Sequence, residues 1–183
     1  MSTLAADEAI CLETWHFPSK VSLLSGAGGR AELVILDTPV SSGSVILTVR
    51  RTSSSVTESA SWDTLQIGVD QHARFGEKAL KLNHARDPNT RVLIHADRVE
   101  IVARRDIEAD TPLSFNYNST EFRMAEPFTD WSTGELVCGF EGATEEERGW
   151  LLENGLVAQH VFLLRDAAAA KKSEMRECAS SNL

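Results

Sequence analysis

Two short stretches of the chain carry side chains that could do chemistry. The first, "LNHARDPNT" (residues 82–90), sets Asn83 and His84 directly ahead of an Asp-Pro-Asn run. Pro88 fixes its own φ, and Asp87 and Asn89 fold back on nearby backbone, so 87–89 reads as a turn. That turn does not require Asn83 and His84, which put two hydrogen-bonding side chains where an apolar segment ends. In the plain reading they satisfy local backbone groups. The second stretch, "PLSFNYNSTEF" (112–122), holds Tyr117, the one tyrosine of the chain, just after a short strand. A buried tyrosine needs one partner for its hydroxyl. With suitable neighbours it can also handle a proton at a reacting centre.

The whole chain bounds what these residues can be doing. Its 183 residues fit one domain with a core of its own, needing neither disulfide nor metal. Hydrophobic content of 42% and charged content of 25% are ordinary for a globular protein. A net charge of -9 and a pI near 5.0 argue against direct binding to nucleic acid phosphates, and leave a basic peptide or an amine as a suitable substrate. Cys11, Cys138 and Cys178 are odd in number and in no ligand spacing, which predicts free thiols in a reducing, cytoplasmic or nuclear compartment. No run approaches the eighteen apolar residues of a membrane helix. The acidic start "MSTLAADEAICLETW" lacks the basic and apolar regions of a signal peptide. Ser181-Asn182-Leu183 resembles a peroxisomal address without its basic middle residue, and reads more simply as a frayed tail.

The elements that must position Asn83, His84 and Tyr117 are mostly short strands. "ELVILD" (32–37) and "SVILTVR" (44–50) are rich in β-branched residues and separated by the turn-forming "TPVSSG"; "TLQIGV" (64–69) alternates. "RVLIH" and "RVEIVARR" flank Ala96-Asp97 as an antiparallel hairpin, and "PLSF" (112–115) adds a short strand. The hydroxyl-rich "RRTSSSVTESAS" (50–61) has almost no apolar anchor and predicts a mobile loop. After residue 143 the pattern turns helical. Thr144 with Glu147 forms a capping box, Gly155 a C-terminal cap, and "LVAQHVFLLRDAAAAKKSEM" a second helix on which His160 reads as a packed side chain.

Taken together, the two stretches resemble the SET-domain family of S-adenosylmethionine-dependent methyltransferases. Asn83-His84 with Pro88-Asn89, and Phe115-Asn116-Tyr117 after them, stand as that family's two signature segments in order and at its spacing. "VEIVARRDIEADTPLSF" is similar to its strand, turn and return strand, "GRAELVILDTPVSSGSVI" to its opening hairpin, and "WDTLQIGVDQHARF" to the approach to the Asn-His pair. The resemblance covers roughly residues 20–135. It implies a mostly β, α+β fold: β-clip-like short sheets around a pseudoknot core, then C-terminal helices. It divides the chain into an N-terminal extension (1–19), a SET-like domain (20–128) and a degenerate post-SET and helical region (129–183). It also implies that Asn83, His84 and Phe115 bind S-adenosylmethionine, with Gly28 and Gly29 beside its methionine part and Trp131 over its adenine, while Tyr117 sits at the transferred methyl.

The chain also departs from that family. Members with a cysteine cluster after "PF" bind zinc through three of its cysteines and a fourth just after the Asn-His pair. Here the fourth position is Arg86, and only Cys138 follows residue 128 in the matching stretch, so no structural zinc is expected. "AEL" (31–33) stands where an ungapped match puts the family's Gly-x-Gly loop, and glycines 26, 28 and 29 lie just upstream. The tyrosine-lined lysine channel of many members cannot be built from one tyrosine. Two functions are consistent with this pattern: methyl transfer to a lysine or other amine, and a SET scaffold recruited to small-molecule cyclisation or rearrangement, with His84, Arg86 or Tyr117 polarising the substrate. A binding module that kept only the fold is the third, least specific reading.

Overall fold

The computed structural model describes residues 12–26, 29–52, 55–130 and 133–180. Gly28, Trp131 and the Ser181–Leu183 tail, all singled out above, lie outside the described residues. Thirteen strands and two α-helices follow in order: β1 (Leu12–Trp15), β2 (Ser19–Gly26), β3 (Gly29–Leu36), β4 (Val45–Arg50), β5 (Val56–Thr57), β6 (Thr64–Gly68), β7 (Gln71–Arg74), β8 (Asn83–His84), β9 (Thr90–Ile94), β10 (Arg98–Ala103), β11 (Ser114–Phe115), β12 (Phe128–Thr129), β13 (Leu136–Val137), α1 (Glu145–Glu153) and α2 (Gln159–Ser180). Single 3₁₀ turns cover Ala79–Lys81 and Tyr117–Ser119.

The strands form small sheets: four strands in the order β1-β4-β10-β9, three in the order β5-β7-β6, and the pairs β2-β3, β8-β11 and β12-β13. The β9–β10 hairpin forms as its alternation predicts, with Val99 opposite Ile94 and Ala103 opposite Thr90. Its inward side chains Val99 and Ile101 meet Val34, Leu36, Ile46, Leu47, Val49 and Leu113, each fully buried, in the main core. Burying each such side chain is worth about 1.5–3 kcal/mol, so this apolar cluster holds the sheets against one another.

Several elements differ from the sequence reading. Strand β3 pairs with β2, not across "TPVSSG" with β4: Gly26 faces Gly29 and Leu36 faces Ser19. Strand β1, within residues assigned to an N-terminal extension, is a strand of the largest sheet, with Glu13 opposite Val49. Part of the hydroxyl-rich loop is also ordered by pairing: Val56 and Thr57 align with Ala73 and His72, and Ser55 is buried, accepting a hydrogen bond from the Thr52 N–H at 2.9 Å.

The helices close off a second apolar cluster of Phe122, Phe140, Leu151, Leu156 and Val161. Thr144 caps α1 as expected, its hydroxyl accepting from the Glu147 N–H at 3.2 Å, and Gly155 follows the helix at φ +62°, where a side chain would be strained. Glu147 does not return its carboxylate to the cap. It turns inward, where two buried asparagines need an acceptor. His160 is buried, its Nε2 2.8 Å from the Thr120 carbonyl, as a packed residue rather than a ligand. No helix among the described residues is long and apolar enough to cross a membrane.

Candidate functional site

The two signature segments lie side by side. Strand β8 pairs in parallel with β11, Asn83 opposite Ser114 and His84 opposite Phe115, and Ala85 N–H donates to the Phe115 carbonyl at 3.2 Å. A parallel pair needs a long connection between its strands, supplied here by the β9–β10 hairpin. The Asp-Pro-Asn turn has more work than turning the chain. Asn89 Nδ2 donates to the Pro112 carbonyl at 2.8 Å and its Oδ1 accepts from Ser114 N–H at 2.9 Å, so one side chain clamps both sides of β11's entry. Asp87 accepts from Arg104 and Arg105 at 3.0 and 2.9 Å.

Tyr117 is tied to the Asn-His segment twice. Its N–H donates to His84 Nδ1 at 3.2 Å, and its hydroxyl donates to the Leu82 carbonyl at 2.6 Å. Because Nδ1 accepts, neutral His84 carries its proton on Nε2. Burial pushes the His84 imidazolium below its usual range, outweighing the acidic Asp130, Glu147 and Glu135, so the ring is neutral at pH 7. Burial likewise pushes the Tyr117 hydroxyl well above its ordinary value. With its one proton given to Leu82, that hydroxyl can only accept from a ligand. The Tyr117 ring lies 4.7 Å from Phe115, 5.4 Å from His84 and 5.9 Å from Phe128 between centroids.

Phe115, Tyr117 and Phe128 form one wall of a cavity of about 350 Å³, closed by Leu65, Leu80 and Leu82. Trp62, 71% exposed, and Phe128, 37% exposed, stand at its rim. The charged residues lining it are Glu121 and Glu126, both acidic. Sequence reasoning passed over Glu121. Thr120 and Glu121 both return their N–H groups to the Tyr117 carbonyl, at 3.2 and 3.0 Å, so the tight turn brings Tyr117 and Glu121 into the same cavity wall. Gln66 on β6 fixes the carboxylate: its N–H donates to Glu121 Oε1 at 2.7 Å, while its side-chain Oε1 accepts from Phe122 N–H at 2.8 Å. Burial raises the Glu121 carboxyl to about 7, opposed only by that backbone hydrogen bond.

The other sequence candidates fall elsewhere. Asn83 is half-buried and its side chain has no hydrogen-bond partner among the described residues, which leaves it available to a ligand. Asn83 and His84 do not line the cavity, though the His84 ring contacts Tyr117 and Phe128 of its wall. Gly29 opens β3 at the tip of the β2–β3 hairpin, while 31–33 run within the strand; the Glu32–Lys81 ion pair at 2.5 Å ties this strand to the turn just before Asn83. Arg86, assigned a substrate-polarising role from the sequence, is not in the cavity. Its guanidinium pairs with Glu135 at 2.7 Å and Glu146 at 3.0 Å, joining the Asn-His segment to the loop before β13 and to α1.

The SET-domain profile matches residues 7–118, more than half of the sequence. The chain belongs to the SET-domain family. The SET match ends within the turn that carries Tyr117 and begins before β1, so it takes in strands β1 to β11 with the β8–β11 crossing, and leaves out the β12–β13 pair and both α-helices. Among solved structures, part of the chain is similar to the crystal structure of KRYPTONITE in complex with mCHG DNA and SAH, at 20% identity and a TM-score of 0.45, over 64% of this chain and 27% of the other. This SET-domain chain therefore spans about a quarter of the length of that protein. No curated protein matches it.

The residues of the SET site fit a sulfonium cofactor. The Asn83 amide, without a partner among the described residues, offers a donor and an acceptor, the exposed Phe128 offers a face for an adenine, and the charged groups among the described residues lining the adjoining cavity are negative, which suits a cation.

Proposed function

We propose that this SET-domain chain is an S-adenosylmethionine-dependent methyltransferase acting on a lysine or another amine. The observation that carries the proposal is the β8–β11 crossing. It pairs the segment of Asn83, whose amide has no partner among the described residues, with the strand that leads into Tyr117, whose hydroxyl is held by the Leu82 carbonyl and can only accept, at the wall of an apolar cavity with acidic lining. Asn83 and the backbone of His84 would hold the cofactor, with Phe115 and Phe128 beside it. When bound, S-adenosylmethionine supplies an activated methyl group.

The chain's own residues orient the acceptor and keep water away. The Tyr117 oxygen accepts an amine N–H and so aims the nitrogen lone pair. Phe115, Leu80 and Leu82 exclude water, and desolvation favours the neutral amine that methyl transfer requires. The apolar lining also supports the second reading, a SET scaffold recruited to cyclisation or rearrangement of a small biosynthetic molecule without methyl transfer. The SET-like domain, read from the sequence as 20–128, has β1 in its largest sheet, so we place its start at or before β1, with 129–183 as its C-terminal cover.

Incubation with methyl-labelled S-adenosylmethionine and a panel of lysine peptides and small amines tests the proposal. Label appearing on nitrogen in a mass spectrum supports it, and label on no amine overturns it. Asn83→Ala should weaken S-adenosylmethionine binding by about tenfold, the equivalent of one hydrogen bond of about 1–1.5 kcal/mol, with thermal unfolding little changed. Calorimetric titration of both proteins reads this directly, and equal affinities would remove Asn83 from the cofactor site.

We also propose that the cover needs no zinc, because Arg86 with Glu135 and Glu146 bridges the elements that the family's thiolates would bridge. Arg86 is about a third exposed and its partners are half-exposed or more, so each pair is worth at most about 1 kcal/mol and packing carries the rest. Metal analysis of the purified protein should give less than about a tenth of an equivalent of zinc. A full equivalent bound through Cys138 would contradict this.

A further inference from the structure

We propose that Glu121 is the anionic end of the acceptor cavity: it draws a cationic amine in and takes its proton. The proposal rests on the amine reading above and adds a residue to it. Glu121 is 9% exposed, yet it lines the cavity, and no cation among the described residues pairs with it. Buried carboxylates are ordinarily paired or protonated, because an isolated buried charge is costly. One oxygen, Oε1, is committed to the Gln66 N–H at 2.7 Å; Oε2 has no hydrogen-bond partner among the described residues. The reciprocal Gln66–Glu121–Phe122 hydrogen bonds hold the group in place, so its orientation does not depend on a ligand. The rings of Tyr117, Phe128 and Trp62 line the same cavity, and aromatic faces attract an ammonium. A cavity with a fixed, unpaired carboxylate and aromatic walls is built for a cation.

The proton step balances. An N–H bond of the substrate ammonium breaks with its electron pair staying on nitrogen, and an O–H bond forms at Glu121 Oε2. The products are a neutral amine and a neutral carboxyl. Two opposite charges vanish together, which an apolar cavity favours. In water the ammonium would hold its proton, with a pKa of about 10.4 against about 7 for Glu121. Desolvation lowers a buried ammonium by up to about 3–5 units, enough to close that gap. After product leaves, the carboxyl returns its proton to solvent through the open rim beside Trp62.

The test uses n-butylammonium as a lysine side-chain probe and n-butanol as its neutral counterpart. Binding to wild type and Glu121→Gln is followed by calorimetry at pH 8. Wild type should bind the ammonium; Glu121→Gln should lose about tenfold or more of that affinity and keep its butanol affinity, because glutamine retains the shape and the oxygen that Gln66 needs. Thermal unfolding should show Glu121→Gln no less stable than wild type at pH 8, since it removes a buried charge. As a check requiring no variant, carboxyl carbon NMR of wild type should show the Glu121 titration midpoint rise when butylammonium is added, because the carboxyl holds the proton taken from the ammonium. Equal ammonium binding by both proteins, or a midpoint that does not rise, overturns the proposal. S-adenosylhomocysteine titrated into the same samples separates the two ideas. Lost cofactor binding would count against the methyltransferase reading alone, and a lost ammonium preference against Glu121 alone.

Discussion

Replacing Glu147 with alanine is expected to lower stability by about 3–5 kcal/mol, and the melting temperature by about 10 °C. Glu147 is the third residue of α1, a position that on an ordinary helix faces water. Here it is 7% exposed, and its Oε1 accepts from both Asn116 Nδ2 and Asn118 Nδ2 at 3.0 Å. Those two amides are 1% exposed, so neither can turn to solvent when the acceptor is gone. Asn116 Nδ2 keeps a second acceptor, the Arg86 carbonyl at 3.3 Å, so the larger cost falls on Asn118; an unsatisfied buried amide costs about 1–3 kcal/mol, and the void left by the side chain adds to it. Glu147→Gln keeps one acceptor oxygen and should lose far less. The network also sets the turn that aims Tyr117, so Glu147→Ala should lower turnover although Glu147 does not reach the cavity. Urea unfolding of both variants reads the difference, and a loss below about 1 kcal/mol for alanine would mean the network is not the brace described.

The second large effect falls on Tyr117. Tyr117→Phe keeps the ring against Phe115 and His84 and removes only the hydroxyl. A single ordinary hydrogen bond would cost no more than about 1 kcal/mol, which is the expectation from the sequence alone. The partner here is the carbonyl of Leu82, a residue 2% exposed, so the carbonyl is left unpaired and the loss should be about 1–3 kcal/mol. Turnover should fall by on the order of 10²-fold, because the acceptor oxygen that aims the amine is gone. Cofactor affinity should stay close to wild type, since the hydroxyl faces the acceptor. Full activity on the true substrate would make Tyr117 a packing residue only.

The parts of this molecule that were legible in the sequence are those where local pattern and tertiary context agree. The β9–β10 hairpin has alternating apolar residues on both arms and a two-residue turn. Thr144, Glu147 and Gly155 mark the ends of α1 by rules that need no neighbours. Strand β2, "SKVSLLSG", is not legible in the sequence because its serines interrupt the apolar pattern, and Val21 and Leu23 are exposed; pairing with β3 orders it. Val56 and Thr57 became strand for the same reason, through β7. At the site, Asn83, His84 and Tyr117 could be picked out because their types and spacing are unusual. Glu121 could not. In sequence it is one acid among many after a Ser-Thr pair, and its character comes from burial and from Gln66, far away on β6. Arg86 beside the Asn-His pair reads from the sequence as part of the site; its carboxylate partners on two other elements could not be read there.

The most direct measurement is a calorimetric titration of the purified, full chain with S-adenosylmethionine, with mass spectrometry of whatever co-purifies. The account predicts saturable binding at one site per chain, weakened by Asn83→Ala and little changed by Tyr117→Phe. An absence of binding at millimolar cofactor, with a different small molecule retained in the cavity, would contradict it.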